Sequence, residues 1–137
     1  MARLAIFGSL ILCFFCLGII AGEKSFEFKD VDEKLLAEVQ EMEMLLEKKG
    51  LVCSDEKLNA YLTDVGMKLV AGEPALDNVK WRFRALRDPM INAFAFPNGS
   101  IYVHTGLLAL LENEEQLRAV LAHEIGHVTH RHTYSYN

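Results

Sequence analysis

Apolar residues recur at three- and four-residue spacing in two stretches of the first half of the chain. The first stripe consists of Val31, Leu35, Val39, Met42 and Leu46, and the second of Leu58, Tyr61, Leu62, Val65 and Leu69. This spacing places side chains on one face of a helix. Asp30 or Asp32 predicts the start of the first helix and Gly50 its end, while Ser54 and Gly72 bound the second. The polar side of the first helix is predicted to be a solvated face, formed by Glu38, Glu41, Glu43 and Glu47.

The spacing changes to two in the second half of the chain. Apolar and basic residues alternate over residues 79–85, which predicts a half-buried strand with a solvated basic face. Residues 91–96 and 101–105 are short strand-like runs, and the Pro-Asn-Gly-Ser sequence between them predicts a hairpin turn. A short helical stretch over residues 107–111 follows. Asn113, with Gln116 three residues later, predicts the capped start of a last helix, whose apolar positions are Leu117, Val120, Leu121, Ile125 and Val128. The sequence therefore predicts an α+β fold.

The first 22 residues differ from the rest of the chain. Arg3 precedes 19 uncharged residues, 4–22, which end in Ala21 and Gly22. A basic start, an apolar run and small residues at a cleavage point are typical of a secretory signal peptide, and a retained membrane anchor is the alternative. Both interpretations predict an extracytoplasmic body, residues 23–137, that is periplasmic or anchored at a membrane and facing outward.

Composition narrows the possible functions. Hydrophobic residues make up 51% and charged residues 24% of the 137, which excludes a disordered chain. The net charge of −5 argues against nucleic-acid binding, which depends on cations that neutralise phosphates. Cys13 and Cys16 lie inside the apolar run and Cys53 stands apart from them, so no disulfide framework is expected.

The predicted last helix carries the pattern His-Glu-x-x-His at residues 123–127. Residues four apart lie about 400° around a helix, so His123 and His127 project from one face and can share one Zn²⁺. Glu124 is rotated about 100° from His123, which places its carboxylate beside a metal-bound water. Zinc lowers the pKa of such a water, and a carboxylate can take its proton and pass it to a leaving amine. The spacing therefore predicts metal-assisted amide hydrolysis.

The sequence Asn-Ala-Phe-Ala-Phe-Pro-Asn-Gly at residues 92–99, followed by the stretch that contains His-Glu-x-x-His, resembles the M48 family of zinc metallopeptidases. The resemblance is tight from Asn92 onward and loose over the first two helices. It implies a zincin-like (gluzincin-type) fold, one Zn²⁺ held by His123 and His127, Glu124 as the catalytic glutamate, and a protein or peptide substrate. Together with the apolar start, it implies an extracytoplasmic quality-control endopeptidase.

One element of the family pattern is missing from this sequence. In the M48 family a glutamate on a later helix is the third zinc ligand, whereas residues 125–137 contain no Asp or Glu. His130 lies about 10.5 Å from His123 along a helix, too far for one tetrahedral ion, and His132 matches a family histidine that is not a ligand. We therefore expect residues 23–137 to be a peptidase domain that is incomplete at its C-terminus. The alternative is a catalytically inactive M48-like module that binds other proteins or acts as a chaperone.

Overall fold

The computed structural model describes residues 32–130. These residues form four α-helices, one 3-10 turn and three strands. In chain order the elements are α1 (Asp32–Lys48), α2 (Glu56–Val70), the 3-10 turn (Pro74–Leu76), β1 (Arg82–Leu86), β2 (Ala93–Ala95), β3 (Ser100–His104), α3 (Thr105–Leu108) and α4 (Glu114–His130). The predicted α+β fold is confirmed. The strand predicted over residues 79–85 is displaced toward the C-terminus, and the other two strands are close to their predicted positions.

The three strands form one mixed sheet in the order β1-β3-β2. The predicted hairpin is present, because β2 pairs antiparallel to β3, with Phe94 opposite Tyr102. Gly99 has a positive φ of 91° in the connecting turn, and a side chain there would press on Val79. β1 pairs parallel to β3, with Phe83 opposite Ile101. The parallel pairing makes β3 the central strand of the sheet, and all five of its residues are buried.

One face of the sheet packs against α2 and α4 and forms the hydrophobic core. Its fully buried residues come from all of these elements and include Leu62, Val65, Phe83, Ala85, Ile101, Val103, Leu117 and Leu121. Burial of each large apolar side chain contributes about 1.5–3 kcal/mol. This core holds α4 in a fixed position against the sheet, since α4 contacts α2, β2 and β3.

The opposite face of the sheet carries a polar network that joins it to α1. The Glu43 carboxylate accepts hydrogen bonds from the Tyr102 hydroxyl (3.0 Å), Arg82 Nη2 (3.0 Å) and Asn98 Nδ2 (2.8 Å). Burial, together with the neighbouring Glu43, raises the pKa of Tyr102 well above its ordinary value. The prediction that Glu43 lies on a solvated face is wrong, because its side chain is only 13% exposed and holds α1 to the sheet.

The outer edge of β1 is covered by a side chain and a preceding loop. The Asn59 side chain accepts a hydrogen bond from the Ala85 amide (2.9 Å) and donates one to the Cys53 carbonyl (2.8 Å). Val52 forms an isolated antiparallel bridge with Leu86. Both backbone groups of Ala85 are therefore satisfied without another strand.

Each helix starts within two residues of its predicted position. α2 is capped by Asp55, whose carboxylate accepts a hydrogen bond from the Leu58 amide, rather than by Ser54. Asn113 caps α4 as predicted, since its side-chain oxygen accepts a hydrogen bond from the Gln116 amide at 2.9 Å. The Gln116 side-chain oxygen in turn accepts a hydrogen bond from the amide of Glu112, one residue before the cap.

The predicted signal or anchor at residues 1–22, including the apolar run 4–22 with Cys13 and Cys16, lies outside the described residues. None of the helices within residues 32–130 combines the length and hydrophobicity needed to cross a bilayer.

Candidate metal centre

The two histidines of the His-Glu-x-x-His pattern meet on the surface of α4. Leu117, Leu121, Ile125 and Val128 form the buried stripe that packs α4 into the protein. His123 and His127 project elsewhere and lie one helical turn apart. Their Nε2 atoms are 2.9 Å apart, and their rings are perpendicular, with centroids 4.5 Å apart. The predicted convergence of the two imidazoles is therefore present in the folded chain.

This pair fits a zinc ion in both geometry and chemistry. Zinc binds imidazole nitrogen at about 2.0–2.1 Å, so one ion can reach two nitrogens that already face each other. His123 is exposed and His127 is partly exposed, which leaves room for a further ligand and for substrate on the solvent side. Neutral imidazole is also a common ligand of zinc.

Glu124 lies beside the histidines but in a different environment. Its side chain is only 8% exposed, and one of its oxygens lies within 4.8 Å of the ligand nitrogens of His123 and His127. Burial raises the pKa of the Glu124 carboxyl, while the neighbouring His127 and His123 lower it. A carboxyl held between these opposing influences can both accept and return a proton, as a general base and acid must.

No further acidic side chain joins this group within the described part of the chain. His123, Glu124 and His127 form the one cluster of potential metal ligands found there. Glu114 points elsewhere, because its carboxylate accepts a hydrogen bond from the Tyr61 hydroxyl at 3.1 Å. Glu124 is therefore the one acidic side chain grouped with the two histidines within residues 32–130. The His130 side chain and residue His132 lie outside the part of the chain that the structure describes.

A cleft beside the histidines was not predicted from the sequence. Its walls are the segment leading into β2, helix α3 and the exposed side of α4. β2 is an edge strand, and within residues 32–130 only β3 pairs with it. The sequence contained one signal of this cleft, which is that Ala119 is a small residue outside the buried stripe of α4.

The turn that precedes the β2 wall of the cleft is hydrogen-bonded to the first residue of α3. Thr105 Oγ1 donates a hydrogen bond to the Asp88 carbonyl (2.9 Å) and accepts one from the Asp88 amide (3.2 Å). Nearby, the buried His104 ring has Nδ1 3.5 Å from an Asp88 oxygen, and neither ring nitrogen has a hydrogen-bond partner among the described residues. The two Thr105 hydrogen bonds therefore fix where the chain enters β2.

Comparison with known proteins gives matches that centre on the same segment. A family model described as peptidase family M48 matches residues 56–136. A putative beta-barrel assembly-enhancing protease of Vibrio cholerae is 36% identical over 129 residues, covering 85% of this chain and 26% of that protein. The beta-barrel assembly-enhancing protease of Escherichia coli K12 is 39% identical over 79 residues, covering 58% of this chain and 16% of that protein.

A eukaryotic protein is similar to the same part. The mitochondrial metalloendopeptidase OMA1 of Schizosaccharomyces pombe is 37% identical over 67 residues, covering 49% of this chain and 20% of that protein. The chain therefore spans about a quarter or less of the length of these curated relatives.

Proposed function

The chain belongs to peptidase family M48, and from that membership we propose that it is part of a zinc-dependent metalloendopeptidase that hydrolyses peptide bonds of protein substrates. The observation that carries this proposal is the geometry of α4. Two imidazole nitrogens converge to 2.9 Å, and a buried carboxyl lies beside them on the same helix. This arrangement has two of the metal-binding donor atoms and the acid–base group that metal-assisted amide hydrolysis uses.

Each residue of the cluster has a separate role in this proposal. His123 and His127 hold one Zn²⁺ through their Nε2 atoms. Zinc, when bound, polarises a carbonyl and lowers the pKa of a water molecule. Glu124 takes the proton released by the attacking water on a carboxylate oxygen and delivers it to the leaving amine.

The edge of β2 is the proposed position of the substrate backbone. The Asn92 carbonyl accepts a hydrogen bond from the His104 amide, and the Phe96 amide donates one to the Ser100 carbonyl. The backbone groups of Asn92 and Phe96 therefore point toward β3. In an antiparallel pair the intervening residues direct their groups to the other side. Ala93 and Ala95 therefore present amide and carbonyl groups to an extended peptide, which can add as a further strand.

The third zinc ligand determines how active the chain is by itself. Catalytic zinc sites normally use three protein ligands, whereas the described residues supply two histidines. We propose that the ligand is a glutamate supplied by a segment beyond this sequence, as the family resemblance implies, and that residues 23–137 are the N-terminal part of the peptidase domain. An inactive chain that binds unfolded protein is the second candidate function, and the two-ligand site is the observation that favours it.

The cellular role we propose is extracytoplasmic protein quality control. The apolar residues 4–22 support export or membrane association, and two relatives are named beta-barrel assembly-enhancing proteases. A phosphatase that is active only outside the cytoplasm, fused after Asn137, should therefore be active. A stable but silent fusion would contradict export.

Zinc affinity tests the assignment of the two ligands. The chain is titrated with Zn²⁺ in competition with a chelating dye. Loss of residues that only orient a ligand costs about 10–100-fold in affinity, so His123→Ala and His127→Ala should each cost at least about 100-fold. His130→Ala is the matched control on the same helix and should change little. Equal losses in all three variants would contradict the assignment.

Cleavage of casein tests the catalytic proposal. The chain by itself should cleave no faster than Glu124→Gln, because two ligands position zinc poorly. The chain extended with the following segment of an M48 relative should cleave, and a chelator or Glu124→Gln should abolish that cleavage. If the extended chain binds casein without cleaving it, the inactive-module alternative is correct.

A further inference from the structure

Helix α1 exposes two large apolar side chains beside the face that it turns toward the sheet. Val39 is buried, and the Glu43 carboxylate is hydrogen-bonded to the sheet, so these two residues mark the attached face of the helix. Met42 and Leu45 lie roughly 110° around the helix from that face. They remain 52% and 47% exposed. Adjacent exposed apolar side chains on a helix that is attached through another face are typical of a contact surface.

One charged residue lies at each end of this apolar pair. The row along the helix is Glu38, Met42, Leu45 and Lys49, which we call the α1 stripe. Its spacings of four, three and four residues are those by which one helix packs along another. Glu38 and Lys49 are exposed, and Glu38 Oε1 lies 3.9 Å from Lys34 Nζ. Such a surface ion pair contributes little, so both charges are available to a partner.

We propose that the α1 stripe is a contact between two copies of this chain, whose α1 helices pair antiparallel about a two-fold axis between Met42 and Leu45. In this arrangement Met42 of each copy packs against Leu45 of the other. Glu38 of each copy then faces Lys49 of the other. The two-fold axis forms every contact twice, so the interface holds two apolar contacts and two ion pairs.

The charges beside the stripe favour the same pairing. Glu41 and Lys48 are exposed next to it, on the side away from the sheet. Antiparallel helices bring Glu41 of one copy near Lys48 of the other, whereas parallel helices would place like charges together, which is unfavourable. A charge pattern that is complementary to itself when reversed favours a second copy over an unrelated protein as the occupant.

The size of the contact predicts a weak association. Helix α1 has 17 residues, and the stripe uses one row of them. Interfaces that bury less than about 1,200 Å² in total are typical of transient complexes, so we expect a dissociation constant on the order of 100 μM. The metal centre takes no part, because α4 packs on the opposite face of the sheet from α1. The inference therefore does not depend on zinc binding or on peptidase activity.

Sedimentation equilibrium of the full chain measures this association. A mild non-ionic detergent is present throughout, because the apolar residues 4–22 would otherwise associate with one another. Met42→Ala should weaken the dimer about tenfold, since it removes an apolar contact from both halves of the interface. Met44→Ala is the matched control. Met44 is 54% exposed on the same helix but lies on its other flank, beside Arg84, so its replacement should leave the dissociation constant unchanged.

Charge reversal tests the direction of the pairing. Glu38→Lys and Lys49→Glu should each weaken the dimer about fivefold, because each disrupts two exposed ion pairs. The double variant exchanges the two charges and should restore the wild-type dissociation constant. This restoration would also show that neither single variant acts by unfolding the helix.

The proposal is overturned if the chain remains monomeric at about 1 mM, tenfold above the expected dissociation constant. It is also overturned if Met42→Ala and Met44→Ala dimerise alike, or if the double charge variant is no better than the single ones. A dimer that none of the variants changes would place the contact elsewhere, at residues 4–22 or at the β2 edge. If the chain is monomeric and Met42→Ala weakens its binding to phosphatidylcholine vesicles, the stripe contacts lipid and the proposal is wrong.

Discussion

Replacement of Gly66 by alanine sets two opposing effects against each other within α2. Alanine is favoured over glycine in a helix by about 0.5–1 kcal/mol. A Cβ at position 66, however, would lie 2.5 Å from carbons of the Phe83 ring, well inside van der Waals contact. Phe83 is 2% exposed and stacks near Trp81, so its ring has little room to move. Overpacking of this kind typically costs about 1–3 kcal/mol.

The steric cost should therefore exceed the gain in helix propensity, and Gly66→Ala should destabilise the chain by about 0.5–2 kcal/mol. Gly126 provides a matched control within α4, because a Cβ there meets nothing within 4 Å. Gly126→Ala should stabilise the chain by about 0.5–1 kcal/mol. The two variants make the same chemical change in two helices, so the difference between them isolates the contact with Phe83.

Urea unfolding without zinc measures both effects. Trp81 is the single tryptophan of the sequence and lies beside Phe83, so its fluorescence reports on the packing at this position. Helical circular dichroism should give the same midpoints if unfolding is two-state. If Gly66→Ala is as stable as wild type, or more stable, the Phe83 ring can shift at no cost, and the close approach does not select glycine.

Three further substitutions test other contacts. Glu43→Ala removes the acceptor of three hydrogen bonds and should lower the free energy of unfolding by about 2–3 kcal/mol. Amide hydrogen exchange should accelerate most in α1, and uniform acceleration would contradict a local role of Glu43 in holding α1 to the sheet. Asn113→Ala should cost about 1 kcal/mol in urea unfolding, and a negligible loss would show that this cap contributes little. His104→Leu should leave the melting temperature unchanged or higher, because it removes two buried ring nitrogens that have no hydrogen bonds among the described residues. A marked fall in the melting temperature would show that the ring has a hydrogen-bond partner.

Patterns that are local in sequence predicted most of the fold. The stripes of α2 and α4, the Asn113 cap and the turn around Gly99 depend on residues a few positions apart, so the sequence displays them directly. The convergence of His123 and His127 was predictable for the same reason, since one helix fixes both.

Contacts between distant segments could not be read in this way. The parallel pairing of β1 with β3 depends on how two packed faces meet, and alternation in each strand does not specify a partner. Glu43 appeared solvated because its helix is rich in glutamate, yet its partners Arg82, Asn98 and Tyr102 lie 39–59 residues away. The cavity beside Glu124 likewise requires three separate segments, and only Ala119 hinted at it.

The two edges of the sheet differ in a way that affects the protein in concentrated solution. Asn59 and the Val52 bridge cover the β1 edge at Ala85 and Leu86, so another chain finds the backbone groups of Ala85 already paired. The β2 edge has no such cover from the described residues, and an unpaired edge is a template for association. If two copies joined β2 to β2 about a two-fold axis, each would block the other's cleft. Self-association at this edge would then compete with the addition of a peptide, and the competition would strengthen as the protein concentration rises.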